Sequence, residues 1–224
     1  IVSLLLAVGA EFNAVDKCGS SALLLAAYRG NVEVAELLLA SGADVHAANR
    51  QGDTCLMKAA EWGRVEMVKL LLSAGADVHA SNQNRNTSLM KAAWNNAGEI
   101  VKLLLDAGAE VNASSQYGNT CLMIAADGGS DECVNLLLEA GAEVNAANAY
   151  GTTALSVATT WHCNERPRKL LLKAGADDSK KIVAGDATFY ERRCKEMEAK
   201  NPGYAEFLKK VQDALNVLND DDEV

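Results

Sequence analysis

The apolar residues of this chain fall into short stripes at helical spacing, and the whole pattern returns along the sequence. Six segments end in a Leu-rich stripe followed by Gly-Ala-Asp or Gly-Ala-Glu, as in LLLSAGAD. The first four steps between these endings are 33 residues long, and the last is 34. A pattern this regular predicts an array of structural repeats instead of a single core. The Gly–Ala pairs begin at Gly9, Gly42, Gly75, Gly108, Gly141 and Gly175.

The copy from Asn49 to Ser81 shows the elements of one repeat. A polar turn with Gly52 precedes a short helix predicted over Thr54 to Glu61, whose apolar residues share one face. Gly63 ends this helix, because glycine adopts the left-handed conformation without a Cβ penalty. A second helix is predicted over Val65 to Ala74. Two such short helices cannot bury their apolar faces alone, so stacked copies must cover one another.

These segments resemble the ankyrin-repeat family over roughly Ile1 to Asp178. Many places of the family pattern are matched. That pattern consists of a glycine turn, Thr-Pro-Leu-His, a second glycine, and a Leu-rich helix followed by Gly-Ala-Asp. The resemblance implies an all-α solenoid of stacked helix-turn-helix units connected by β-turns. The Thr place holds Ser21, Thr54, Thr87, Thr120 and Thr153, and the Leu place holds Leu23, Leu56, Leu89, Leu122 and Leu155.

The departures from the family pattern are informative. In the family, the His of Thr-Pro-Leu-His bonds with the Thr and ties the turn to the helix. We interpret the substitutions at this place as apolar packing with Met as gap-filler, instead of a redox or metal site. The third copy has Arg85 for the turn glycine and Asn96 for the mid-repeat glycine, and Asn tolerates the left-handed conformation. The His place holds Leu24, Met57, Met90, Met123 and Ser156.

The end of the period divides the chain into an array and a C-terminal region. Pro167 is tolerated only in a first helical turn, so a helix is expected to start near it, after a longer surface loop. Amphipathic stripes then predict a two-helix cap over 179–218, or alternatively a helix docked on a partner, and 219–224 is predicted to be a disordered acidic tail. The chain starts in mid-repeat, which predicts more protein upstream or a partner at this end. The predicted repeats are 1–15 (partial), 16–48, 49–81, 82–114, 115–147 and 148–178.

Charge and cysteine content narrow the class of partner and the compartment. The net charge of −9 disfavours nucleic acid and anionic membranes and mildly favours a basic partner. No uninterrupted apolar stretch approaches 18 residues, so no transmembrane helix is predicted. The six cysteines include no CxxC pair, and Cys55 and Cys121 lie two repeats apart, too far for a disulfide. Free thiols favour a cytoplasmic or nuclear location.

No catalytic signature is present in the sequence, so neither an enzyme, a cofactor nor a metal site is predicted. His46 and His79 occupy the place that holds Asn in sister repeats, which in the family stabilises the turn, so a structural role is expected. The pair His162–Cys163 has no further ligands nearby, and a surface loop is the favoured interpretation.

The aromatic residues predict the binding surface. In ankyrin-like stacks, the turn tips and the ends of the first helices form the concave face, and three Trp and three Tyr fall at these places. Trp and Tyr carry much of the energy of protein interfaces, although such rings can also simply cover small helices. The predicted partner-binding rings are Tyr28, Trp62, Trp94, Tyr117, Tyr150 and Trp161, with Arg29, Arg50, Glu61, Arg85 and Asn95 adding polar specificity.

The functional hypothesis is a non-catalytic protein–protein interaction module, a monomer on its own, that binds a partner protein or an extended segment of one. Two alternatives remain at this point. The stack is a permanent structural subunit of a larger assembly, or it is the regulatory segment of a longer enzyme. A shared scaffold with variable surface residues does not identify the partner.

Overall fold

The computed structural model describes residues 12–160 and 165–177, and ten helices lie within these ranges. They are short, from seven to nine residues, and follow one another as hairpins. In chain order they are α1 (Ala22–Arg29), α2 (Val32–Ala40), α3 (Cys55–Glu61), α4 (Val65–Ser73), α5 (Ser88–Trp94), α6 (Gly98–Asp106), α7 (Cys121–Gly128), α8 (Asp131–Glu139), α9 (Ala154–Thr160) and α10 (Glu165–Lys173).

The helices form two layers. The first helices of the repeats pack in the order α1, α3, α5, α7 and α9, and the second helices in the order α2, α4, α6, α8 and α10. Each first helix also packs against the second helix of its own repeat. The all-α solenoid predicted from the repeats is confirmed, and the described helices depend on contacts between neighbouring repeats.

The Thr place starts each first helix. Thr54 Oγ1 accepts a hydrogen bond of 3.3 Å from the Met57 N–H and so satisfies one of the free donors of the first turn. This cap explains why α3 begins at Cys55, one residue after the predicted start. Ser21, Thr87, Thr120 and Thr153 make the same bond in the other copies.

The side chains at the family's His place are buried, as predicted. Met57, Met90 and Met123 are 0%, 2% and 3% exposed, within the interface between repeats. The fifth copy keeps a polar arrangement, because Ser156 Oγ donates to the Thr153 carbonyl at 2.8 Å and accepts from the Thr153 N–H at 2.8 Å. Apolar packing has thus replaced the polar bond in four copies.

The turns are joined into a ladder that runs across the repeats. The Arg50 N–H donates to the Cys18 carbonyl at 3.0 Å, and the same bond recurs from Gln83, Gln116 and Ala149. Gly52 has a φ of +79°, and a Cβ there would lie 3.2 Å from the Cα of Asn82 in the next turn. Glycine therefore fits both the backbone conformation and the close approach of neighbouring turns.

The second helix of the fifth repeat starts near Pro167, where the sequence predicts it. Helix α10 begins at Glu165, so Pro167 is its third residue and lies in the first turn. Proline is still accommodated, because the N–H groups of the first turn have no acceptor within the helix. Residues 161–164, which include most of the predicted surface loop, lie outside the described residues. The same is true of the predicted cap (179–218), the predicted disordered tail (219–224) and most of the partial repeat.

Three described cysteines are buried within the stack. Cys55, Cys121 and Cys133 carry free thiols, whereas Cys18 is free and exposed. Burial raises the pKa of Cys55 and of Cys121 to about 12, so both thiols stay protonated at neutral pH. They act as small apolar side chains. Within the described ranges, no helix combines the length and apolar character needed to cross a membrane.

Leu71→Ala tests the packing between repeats. Leu71 is fully buried in α4, so its truncation is expected to lower the free energy of unfolding by about 2–5 kcal/mol. Leu37→Ala on α2 is the control, because this side chain is 38% exposed and its loss should cost far less. Urea denaturation of both variants measures the difference, and equal losses would contradict the packing described here.

Candidate functional site

Five of the six predicted rings lie exposed on the turns and first helices. The exposed fractions are 38% for Tyr28, 47% for Trp62, 53% for Trp94, 45% for Tyr117 and 38% for Tyr150. None of these rings fills the core between the helix layers. The sixth predicted ring, Trp161, lies outside the described residues.

Tyr28 and Trp62 form a ring pair that bridges two repeats. Their ring centroids are 4.8 Å apart with an interplanar angle of 74°, an edge-to-face arrangement. Tyr28 lies in the last turn of α1. Trp62 caps the C-terminus of α3, and its backbone N–H donates to the Lys58 carbonyl. Arg64 Nε also reaches the Tyr28 carbonyl at 3.4 Å. The pair is therefore held at adjacent ends of neighbouring first helices.

Tyr117 and Tyr150 form a second pair on adjacent turns. Their ring centroids are 6.4 Å apart with an interplanar angle of 31°. The Ala149 N–H donates to the Tyr117 carbonyl at 2.9 Å, so the turn ladder sets the spacing of the two rings. The described rings thus form two groups, one at the turns and one, which includes Trp94, at the far ends of the first helices. A first helix of eight residues separates these levels by about 12 Å.

A partly buried charge network lies between α3 and α5. Lys58 Nζ is 2.7 Å from an Asp53 carboxylate oxygen and 2.8 Å from a Glu61 oxygen. Lys91 Nζ is 2.8 Å from the other Glu61 oxygen, and Asn82 donates to Asp53 at 2.7 Å. The side chains of Lys58 and Asp53 are only 17% and 3% exposed. Two neighbouring repeats therefore share one ionic and hydrogen-bonded cluster.

The pKa shifts show that this network favours the charged forms. Burial by itself raises the pKa of Asp53, but the bonds from Lys58 and Asn82 and the nearby ammonium charges outweigh it and lower that pKa. The pKa of Glu61 is lowered in the same way by Lys58 and Lys91, against the effect of burial. Burial opposes the charge of Lys58, yet its two carboxylate partners raise its pKa.

The predicted polar residues divide into two kinds. Glu61 is half-buried and each of its carboxylate oxygens binds a lysine, so it is engaged within the protein. Arg29 and Asn95 are exposed at the C-terminal ends of first helices, and Arg50 and Arg85 are exposed on the turns. Arg85 stands out because its φ is +58°, a left-handed conformation that is unfavourable for a side chain with a Cβ.

Sequence reasoning did not identify three residues of this surface. Leu25 is 43% exposed on α1, and Lys58 and Lys91 take the same place on α3 and α5. The 33-residue spacing of the two lysines was a signal for a recurring surface position. Identifying the carboxylate that both lysines bind required the distance between the two helices, which the sequence does not contain.

The Asn and His residues at the ends of the repeats make hydrogen bonds that stabilise the turns. Asn112 bonds the next repeat, donating to the Gly141 carbonyl at 3.3 Å and accepting from the Glu143 N–H at 2.8 Å. His46 and His79 occupy the same place and are exposed. The backbone N–H of each donates a hydrogen bond to an Asp side chain in its own turn. Among the residues that the structure describes, no group of three or more His, Cys, Asp or Glu side chains is placed to hold a metal ion.

A comparison with protein families finds a match over most of the chain. The model of ankyrin repeats matches in three overlapping copies, at residues 1–82, 47–115 and 89–182. A search of curated proteins finds no match. The family match covers all the described helices and each of the predicted binding residues.

Arg85→Gly tests the strained turn. Relief of the left-handed strain outweighs the greater flexibility of glycine in the unfolded chain, so stability should rise by about 0.5–1 kcal/mol. Arg50→Gly is the matched control, since it gains the same flexibility without relieving a positive φ and should be slightly destabilising. Thermal denaturation measures both. A loss of stability in the Arg85 variant would mean that the arginine side chain holds the turn.

Lys58→Met tests the charge network and its pH dependence. The lowered pKa values of Asp53 and Glu61 mean that their contribution is present above their unfolded pKa, about 4, and is lost as the pH falls through the folded values. Without Lys58, the buried Asp53 loses its main partner. We expect a loss of about 1–3 kcal/mol at neutral pH and an acid transition that begins at a higher pH.

The control for this experiment is Lys69→Met, which breaks an exposed pair with Glu66 and Glu99. It should change neither the stability nor the acid transition appreciably. Urea denaturation at a series of pH values compares the two variants. Identical acid transitions in both would show that the network does not contribute as described.

Proposed function

This chain belongs to the ankyrin-repeat family, and from that premise we propose that it binds a partner protein on its turns and first helices, without catalysis. Ankyrin repeats are generally protein–protein interaction modules. The surface involved corresponds to the concave face expected for such stacks. The finer assignment of that face, and of the residues on it, is part of the proposal.

The observation that carries this proposal is the exposure of five aromatic rings, on the turns and at the C-terminal ends of the first helices. Their exposed fractions lie between 38% and 53%, whereas the Leu and Ala side chains between the layers are almost fully buried. Each ring presents a large apolar area to water, and covering it by a partner is favourable. Trp and Tyr are also the residue types most often found as the energetic centres of interfaces.

The arrangement of the rings suits a partner that extends across several repeats. Tyr28 and Trp62 present one apolar area at the ends of α1 and α3, and Tyr117 and Tyr150 present another on later turns. An extended segment running across the first helices can contact both areas. A folded partner can do so with a rim of side chains.

A double variant, Trp62→Ala with Trp94→Ala, tests this function. Both rings are about half exposed, so the fold should keep its circular dichroism spectrum and lose little stability. Partner capture in a pull-down with mass spectrometry should fall at least about tenfold, since such rings contribute 1 kcal/mol or more each.

The matched control is Leu37→Ala, an exposed apolar residue on the second helices. It should leave partner capture unchanged. Unfolding of the double variant would show that the indole rings stabilise the fold. Equal capture by the parent chain and a folded double variant would contradict the assigned surface.

A further inference from the structure

The charges of the four repeats between residues 16 and 147 are sorted by segment. The turn and first-helix segments, 16–31, 49–64, 82–97 and 115–130, carry seven cations and four carboxylates. The second-helix segments that follow each of them carry two cations and twelve carboxylates. Within these four repeats, the carboxylates are therefore concentrated on the second helices and the loops after them, and the turns and first helices carry a net positive charge. The second helix of the fifth repeat, α10, differs, because it carries four cations and one carboxylate.

The carboxylates on the positive side are largely engaged within the protein. Asp53 and Glu61 are paired with Lys58 and Lys91 in the charge network. Asp16 accepts backbone N–H groups of its own turn, from Cys18 and Ser20, at 2.8 Å each. The fourth, Asp127, is partly buried. Few carboxylate oxygens on this side are available to a basic partner.

Exposed cations lie near the Tyr28–Trp62 pair and on the turns of the first three full repeats. Arg64 bonds the Tyr28 carbonyl beside the Tyr28–Trp62 pair, and Arg29, the residue after Tyr28 in α1, is exposed. Lys17, Arg50 and Arg85 are exposed on three successive turns, which the backbone ladder holds side by side. Exposed positive charge thus lies at both ends of the first helices in the first two full repeats, and on the turn of the third.

We infer that the partner segment is an extended acidic one, in which carboxylates alternate with apolar side chains. The apolar side chains would cover the rings, and the carboxylates would meet the exposed guanidinium groups, which bind carboxylates with two parallel hydrogen bonds. This inference rests on the proposed function and specifies the chemistry of its partner. It replaces the basic partner that the net charge suggested.

The physical reason is that charges at a surface act over short distances. At physiological ionic strength, the screening length is about 8 Å, and packed helix layers lie about 8–10 Å apart. The carboxylates of the second helices are therefore largely screened from a ligand bound to the first helices. A long polyanion such as a nucleic acid would also approach the acidic side and be repelled there, whereas a short acidic segment would not.

Fluorescence anisotropy with three synthetic peptide sets tests this inference. In each peptide, an apolar residue, either Leu or Tyr, alternates with one polar residue type, which is Glu, Lys or Ser depending on the set. A single-stranded RNA oligonucleotide is the fourth probe. The Glu set should bind most tightly, and its affinity should fall as salt is added. Arg50→Glu with Arg85→Glu should weaken its binding by roughly tenfold.

Lys69→Glu with Lys102→Glu is the matched control, because it reverses two charges on the second helices and should leave the affinity unchanged. If the variant with both Arg50→Glu and Arg85→Glu fails to fold, Arg50→Glu alone is used to test the loss of affinity. Tighter binding of the Lys or Ser set, lost in the Trp62/Trp94 variant, would overturn the acidic partner while supporting the proposed surface. The inference would be overturned if the Glu set did not bind, if its affinity did not change in the Arg50→Glu variant, or if the RNA bound more tightly than the Glu set. The pull-down decides the proposed function separately.

Discussion

The contact between neighbouring repeats is the interaction on which the rest of this structure depends. A hairpin such as α3–α4 has apolar residues on more faces than it can cover by itself, and Leu56 and Leu71 become buried only because adjacent hairpins lie against them. The small Ala residues of the first helices, which are nearly inaccessible, let these helices pack closely. This burial uses the sides of each hairpin, so the turns and one face of the first helices stay exposed to solvent.

Polar contacts determine how neighbouring repeats are placed relative to one another. Hydrophobic burial has little directional preference, whereas the backbone bonds between turns and the cluster of Asp53, Lys58, Glu61 and Lys91 require defined distances. They fix the rings of successive repeats within contact distance, as in the Tyr117–Tyr150 pair. The same bonds that order the stack therefore also organise the surface proposed to bind the partner. Preorganised rings lose little freedom on binding.

The third full repeat holds two residues other than glycine in the left-handed conformation, and one of them belongs to the proposed binding surface. Its turn holds Arg85 in a left-handed conformation where sister repeats use glycine, and its mid-repeat loop holds Asn96 at a φ of +54°. Asn96 is compensated, since its amide donates to the Gly128 carbonyl of the next repeat at 3.0 Å. Arg85 instead places a cation on the turn, at the opposite end of α5 from the exposed Trp94. Strain at such a position is consistent with a residue kept for recognition.

The sequence by itself determined the period, the helix pairs and the identity of the buried residues. Repeated Leu, Ala and Gly places are local signals, and a side chain such as Met57 is apolar in any context. The start of α10 could be placed only near Pro167, because proline is accepted at more than one position of a first helical turn, and the helix begins at Glu165. Only the tertiary structure decided which side chains of different repeats meet, such as Tyr28 with Trp62. It also showed that the oppositely charged segments of the first four full repeats belong to different helix layers, because net charge contains no information about position.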